Sequence, residues 1–104
     1  MWGAERTWGM DVHKLTAIQR DLLFVVSGMT DSSGTAIKSE LERTQNRNLV
    51  KGRVYTNLDE LVEGDLIDKG SKNGRTNEYS LTEAGREAVR NRRRWEQSYV
   101  KQTA

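Results

Sequence analysis

One dipeptide constrains this chain more than any other feature: Asn73-Gly74, set between Lys72 and Arg75. Both residues accept the positive φ of a tight type I′ turn, so the pair predicts an antiparallel hairpin. Leu66, Ile67 and Lys69 lead into it, and Thr76 to Leu81 leads away. Elsewhere the apolar residues recur near the helical period of 3.6. A lone hairpin inside a helical chain leaves few small folds to choose from.

Thr16 ahead of Ala17, Ile18 and Gln19 reads as a capping box, with Leu15 at the position of a hydrophobic staple. Ile18, Leu22, Val25 and Val26 then form the stripe of a first helix, from Thr16 to about Gly28. Gly28 and Thr30-Asp31-Ser32-Ser33-Gly34 stop it. A second helix is predicted from Thr35 to Thr44 with Ala36, Ile37 and Leu41 inward, then a polar break at Gln45-Asn46-Arg47-Asn48. The third should run from Val50 to Glu63 on Val54, Leu58, Leu61 and Val62. Gly64 or Asp65 supplies its left-handed cap. After the hairpin, Thr82 caps a last helix, with Glu83 near its positive end, running to Val100.

The order is helix, helix, helix, hairpin, helix. A short turn before the third helix makes a helix-turn-helix, and a hairpin directly after that helix makes a wing. The expected fold class is α+β, mostly helical: a winged helix-turn-helix with an N-terminal arm and a C-terminal dimerisation helix. Residues 1–14 are the arm, 15–81 the winged-helix DNA-binding domain, and 82–104 the dimerisation helix and tail. The alternative is a small α+β domain that shares this order by coincidence.

Composition removes most other functions. With 104 residues the chain has room for one domain. It has no cysteine, which excludes disulfides, thiolate zinc sites and cysteine nucleophiles. A single histidine, His13, is a poor basis for a metal centre or a Ser-His-Asp triad. No catalytic residue, metal or cofactor is therefore expected. No apolar run approaches the roughly 18 residues of a membrane span and no signal peptide opens the chain, so a soluble, cytoplasmic protein is expected. Hydrophobic residues make up 35% of the chain, too few for a large core, and a second subunit would complete it.

Lysine and arginine number 17 against 15 acids, a net +2, so the placement of charge must decide the partner. Between Asn46 and Leu58 stand Arg47, Lys51 and Arg53 with no acid, whereas the back half of that helix carries Asp59, Glu60 and Glu63. Insertion of a helix start into a major groove requires this polarity. The predicted recognition residues are Lys51, Gly52, Arg53, Tyr55, Thr56 and Asn57. Arg53 suits a guanine edge and Asn57 an adenine edge. Lys38 and Arg47 are assigned to phosphates. Lys72, Asn73 and Arg75, with Lys69 behind them, give a basic wing for phosphate or the minor groove. The bland reading is that these charges keep an edge hairpin soluble. The rings of Tyr55 and Tyr79 are expected in the core with hydroxyls near phosphate or backbone. Arg86, Arg90, Arg92, Arg93 and Arg94 point around the whole last helix, solvated or paired with Glu83, Glu87 or Glu96. Ala88, Arg92, Trp95 and Tyr99, spaced four, three and four apart, share one face and are assigned to a dimer seam. An exposed, frayed tail is the alternative.

Gly52-Arg53-Val54-Tyr55-Thr56-Asn57-Leu58-Asp59-Glu60-Leu61 resembles the PadR-like family of winged-helix transcriptional regulators. Asn73-Gly74-Arg75 through Tyr79-Ser80-Leu81-Thr82-Glu83-Ala84-Gly85 is similar to that family's second hallmark: a basic wing, a tyrosine-bearing strand, and Leu-Thr-x-x-Gly opening the last helix. The resemblance spans roughly residues 15–90. Trp8-Gly9-Met10-Asp11 and Trp95-Glu96-Gln97-Ser98-Tyr99 are most similar to short archaeal members, particularly those of halophiles. The chain departs from the pattern at Thr56, where proline is usual, and at Asp65, where glycine is usual. It is also mildly basic, where proteins of salt-loving cells are acidic. The resemblance implies a homodimer on double-stranded DNA, at a pseudo-palindromic operator with half-sites about 10–10.5 base pairs apart. Such a protein would reside at the nucleoid and act as a repressor. Family members often sense small molecules; no effector is readable in this chain. The rival function is a winged helix turned protein–protein interaction module, without sequence-specific DNA binding. A small enzyme is disfavoured, since no nucleophile or acid–base pair is evident.

Overall fold

The computed structural model describes residues 10–72 and 76–100, with the side chains of Lys72 and Thr76 set aside. A 3-10 turn, Val12–Lys14, precedes α1 (Ala17–Ser27), β1 (Ser32–Ser33), α2 (Gly34–Gln45), α3 (Lys51–Glu63), β2 (Ile67–Lys72), β3 (Thr76–Leu81) and α4 (Glu83–Gln97). The helices pack on one another and on a three-stranded antiparallel sheet of order β1-β3-β2. This is the winged helix-turn-helix expected from the element order.

The capping box of α1 is present: the Gln19 amide donates to the Thr16 hydroxyl, and the Gln19 side chain accepts from the Thr16 amide at 3.1 Å. Leu15 is buried but staples nothing, because the facing position is Arg20, whose guanidinium donates to the Leu15 carbonyl at 2.7 Å. The buried face of α1 is Gln19, Leu22, Leu23 and Val26. Packing also begins inside the segment read as an arm. Val12 is buried in the core, and the Met10 amide donates to the Gly64 carbonyl at 3.0 Å. Trp2 and Trp8 lie outside the described residues.

The run Thr30 to Gly34 is more than a stop. Ser32 pairs with Tyr79 and Ser33 with Glu78, so this short strand covers the free edge of β3. Ser33 also caps α2, its hydroxyl accepting from the Ala36 amide at 3.1 Å, which starts that helix at Gly34 rather than Thr35. Asn46, at φ 52°, closes α2 in the left-handed region that Asn tolerates.

Val54, Leu58 and Leu61 of α3 are buried in one core cluster with Ile37, Leu41, Leu66, Ile67 and Tyr79. Past its end Asp65, at φ 65°, takes the left-handed conformation, while Gly64 stays at φ −81°. The hairpin register differs from the two-residue turn predicted around Asn73-Gly74. Lys72 pairs with Thr76, so three residues separate the paired ends. Burial explains this: the register sets Ile67 against Leu81, and a slip by one residue would turn Tyr79 out of the core.

The Leu81-Thr82-x-x-Gly85 motif has a physical reading. The Thr82 hydroxyl accepts from the Gly85 amide at 2.9 Å and donates to the Asp65 carbonyl at 2.7 Å. A Cβ on Gly85 would collide with the Leu66 carbonyl oxygen, so only glycine lets α4 start this close to the wing. The helix stops at Gln97 rather than Val100, where the Ser98 hydroxyl turns back to the Trp95 carbonyl at 2.6 Å. Ala88 is buried within the core cluster of its own chain, which removes it from the predicted seam.

Candidate nucleic-acid interface

One carboxylate ties the turn of the helix-turn-helix to α2. Glu42, on α2, accepts from the Leu49 amide at 2.8 Å and from the Lys38 ammonium at 3.0 Å. The Leu49 amide, then Lys38, hold its carboxyl below the ordinary glutamate range. This fixes the turn that aims α3. Lys38, assigned to a phosphate from the sequence, is half-buried and paired within its own helix, because Glu42 stands one turn further on. Arg47, at the turn, is exposed, with its guanidinium 3.3 Å from the Gln45 side-chain oxygen.

Burial of Val54, Leu58 and Leu61 rotates the opposite side of α3 to solvent, so Lys51, Gly52, Arg53 and Thr56 are exposed at its amino end. These four therefore stand on one exposed side of the first turns of α3. Neither Lys51 nor Arg53 has an ion pair among the described residues, although the Lys51 ammonium lies 5.8 Å from the centroid of the Tyr55 ring. Tyr55 is half-buried, with its hydroxyl 3.3 Å from that of Thr35. Asn57 is also half-buried, and its side-chain amide donates to the Arg53 carbonyl at 2.8 Å, which orients it along the helix.

Two of the three acids of the back half bind groups elsewhere in the fold, while Glu63 is exposed. Asp59 pairs with Lys69 of β2 at 3.2 Å, tying the helix to the wing and raising the Lys69 pKa. Glu60 accepts from the side-chain amide of buried Gln19 at 2.6 Å. Gln19 was recognisable as half of a capping box, but not as the anchor of α3. Tyr79 is buried as expected, with no partner for its hydroxyl among the described residues, and burial raises its pKa. On the wing, Asn73 and Arg75 and the side chain of Lys72 lie outside the described residues.

Three of the residues assigned to a seam from the sequence, Arg92, Trp95 and Tyr99, lie together at the far end of α4. Arg92 lies 4.4 Å over the Trp95 ring and pairs with Glu96 at 3.2 Å, and its guanidinium is 3.3 Å from the His13 ring. Trp95 packs edge-on against His13 and Tyr99, with centroids 5.9 and 5.4 Å apart. Trp95 is nevertheless 46% exposed and Tyr99 70%, as is Val100. Arg86 and Arg90 pair with Glu83 and Glu87, as their spacing suggested.

A helix-turn-helix followed by a wing, with an exposed basic start to the second helix, defines a winged-helix regulator of the DNA-binding class. The model of the transcriptional regulator PadR-like family matches residues 22–91. RosR of Halobacterium salinarum, solved from crystals grown from NaBr, is 40% identical, covering 90% of this chain and 84% of that one, with a TM-score of 0.82. A complex structure of RosR gives 42% identity, coverage of 86% and 79%, and a TM-score of 0.79. FabT of Streptococcus pneumoniae, solved in complex with DNA, shares the fold at a TM-score of 0.68 and 20% identity, over 82% of this chain and 57% of that one. No curated protein matches the sequence. The chain belongs to the PadR-like family of transcriptional regulators. It is thus a transcription regulator and not an enzyme, and the likeness to RosR agrees with the halophile-type resemblance of its two ends.

Proposed function

We propose that this protein is a homodimeric, sequence-specific DNA-binding repressor that inserts the amino end of α3 into the major groove. The observation that carries this is the division of charge along α3. Its bases, Lys51 and Arg53, are exposed without ion pairs among the described residues, while Asp59 and Glu60 are bound to Lys69 and Gln19. Lys51, Arg53 and Thr56 then meet base edges and phosphates, with Gly52 allowing close approach and Tyr55 and Asn57 beside them. Arg47 reaches a flanking phosphate, and Lys38 serves by fixing the turn through Glu42. Lys72, Asn73 and Arg75 act from the wing on phosphate or the minor groove.

Dimerisation runs through the exposed end of α4, with Arg92, Trp95 and Tyr99 on the seam. Two copies related by a twofold axis read a pseudo-palindrome, and occupancy of that site blocks transcription. Association with the nucleoid follows from the DNA partner. The fold of FabT, solved on DNA, supports this use of the architecture.

The test is quantitative DNA binding by Lys51→Ala and Arg53→Ala at one fixed salt concentration. Each should stay folded and lose affinity, by about 1–3 kcal/mol where the residue reads a base. Unchanged affinity in both would move the reading site elsewhere.

A further inference from the structure

Gly34 opens α2 in a position that asks nothing unusual of the backbone, directly after the Ser33 cap. Alanine would ordinarily suit such a residue better, since glycine loses more chain entropy on folding. What fills the space that a side chain would take is the far end of the Tyr55 ring. A Cβ on Gly34 would stand 2.6 Å from Cζ and 2.7 Å from the hydroxyl of Tyr55, and nearer still to the ring edge. Real Cβ atoms do not come so close, so the ring would have to shift from its seat. Its present seat puts the hydroxyl 3.3 Å from that of Thr35 and the ring 5.8 Å from the Lys51 ammonium. A shift of the ring would disturb both of these contacts.

Resting on the reading of α3 as the DNA-facing helix, we infer that Gly34 is a positioning residue for that face: its missing side chain seats the Tyr55 ring across the start of α2. Thr35, Tyr55 and Lys51 thereby form one surface that joins the two helices of the helix-turn-helix. The ligand class this surface suits is the sugar-phosphate backbone, through two hydroxyls and an ammonium.

Four proteins test this: the wild type, Gly34→Ala, Tyr55→Leu and the double variant. Each is assayed at low salt on a duplex that the wild type has selected from a random pool, and each is melted. Leucine lacks the far edge of the ring, so Tyr55→Leu removes the collision. Gly34→Ala should weaken binding uniformly across sequences, as the loss of a phosphate contact does, and should gain less in Tm than alanine ordinarily gives at such a site. In the Tyr55→Leu background the same change should leave affinity where it is and raise Tm, because only the helix-favouring effect of alanine remains. Wild-type affinity in Gly34→Ala, or an equal loss in both backgrounds, would overturn the inference. Failure of the underlying reading looks different: Lys51→Ala and Arg53→Ala would then bind like the wild type, while the difference in Tm gain between the two backgrounds would still report on the seat of Tyr55.

Discussion

Gly52 offers a substitution in which fold and function should move in opposite directions. It is the second residue of α3, exposed, and a Cβ built on it meets nothing within 4 Å. Its backbone is helical, so no left-handed conformation demands glycine. Within the chain this residue only costs entropy. Gly52→Ala should therefore stabilise the protein by about 0.4–1 kcal/mol, the usual gain where alanine fits without strain. At roughly 4–8 °C per kcal/mol for a domain near this size, Tm should rise by about 2–8 °C. Binding should respond the other way. If the amino end of α3 enters a groove, a methyl group at Gly52 occupies space that the DNA needs. Holding the helix away from the groove would then cost about 1–3 kcal/mol, or roughly 5- to 150-fold in affinity. Urea titration and thermal melting give the first quantity, and fluorescence anisotropy at one salt concentration gives the second. A less stable variant would refute the claim that nothing in the chain occupies that space. A more stable variant with unchanged affinity would remove Gly52 from the interface.

Glu42 has a lowered pKa in the fold, so its stabilisation is present above about pH 4.5 and is lost as pH falls through the folded value. Glu42→Gln should flatten the fall in urea midpoint between pH 5 and pH 3 expected of the wild type, and parallel curves would exclude this role for Glu42. Removing Lys72 and Arg75 together should reduce the slope of log affinity against log salt by about 0.9 for each phosphate that the wing no longer neutralises. Identical slopes would mean that the wing stays out of the complex. Replacing Trp95 and Tyr99 by alanine should shift the protein towards monomer in sedimentation and cut operator affinity sharply, because two tethered half-sites become one. A double variant that still sediments as a dimer would put the interface elsewhere.

The order of elements was legible because each boundary is local chemistry. Thr16 with Gln19, Thr82 with Gly85, and the change of period at Leu66 are all visible in the residues themselves. The bases at the start of α3 were legible for the same reason: their exposure follows from the burial of Val54 and Leu58 on the other side. What escaped depends on partners distant in sequence. Ser32-Ser33 carries no strand signal, and it is a strand only because β3 lies alongside it. Gln19 is far from Glu60 in the chain, and Gly34 from Tyr55. Lys38 shows the intermediate case. Its pairing with Glu42 four residues on could have been suspected, which would have moved it from phosphate binding to support of the turn. Ala88 fell on the right helical face for a seam, but that face turns into the core at its level and emerges only past Arg92, at Trp95 and Tyr99.

A net charge of +2 says little about a chain whose charges are so unevenly engaged. Glu42, Asp59 and Glu60 each bind a group in another part of the fold or across a turn: the Leu49 amide, Lys69 and Gln19. On α4, Glu83, Glu87 and Glu96 hold arginines three or four residues away. Glu42, Asp59 and Glu60 thus bind groups of the fold rather than the bases at the amino end of α3. Lys51 and Arg53 are left facing solvent with the positive end of the helix dipole behind them. Nearby counter-ions of the same chain would have to be displaced before a phosphate could approach, and among the described residues none stands in the way. The net charge of the chain is thus a poor guide to the charge at the start of α3, where two bases stand without an ion pair among the described residues.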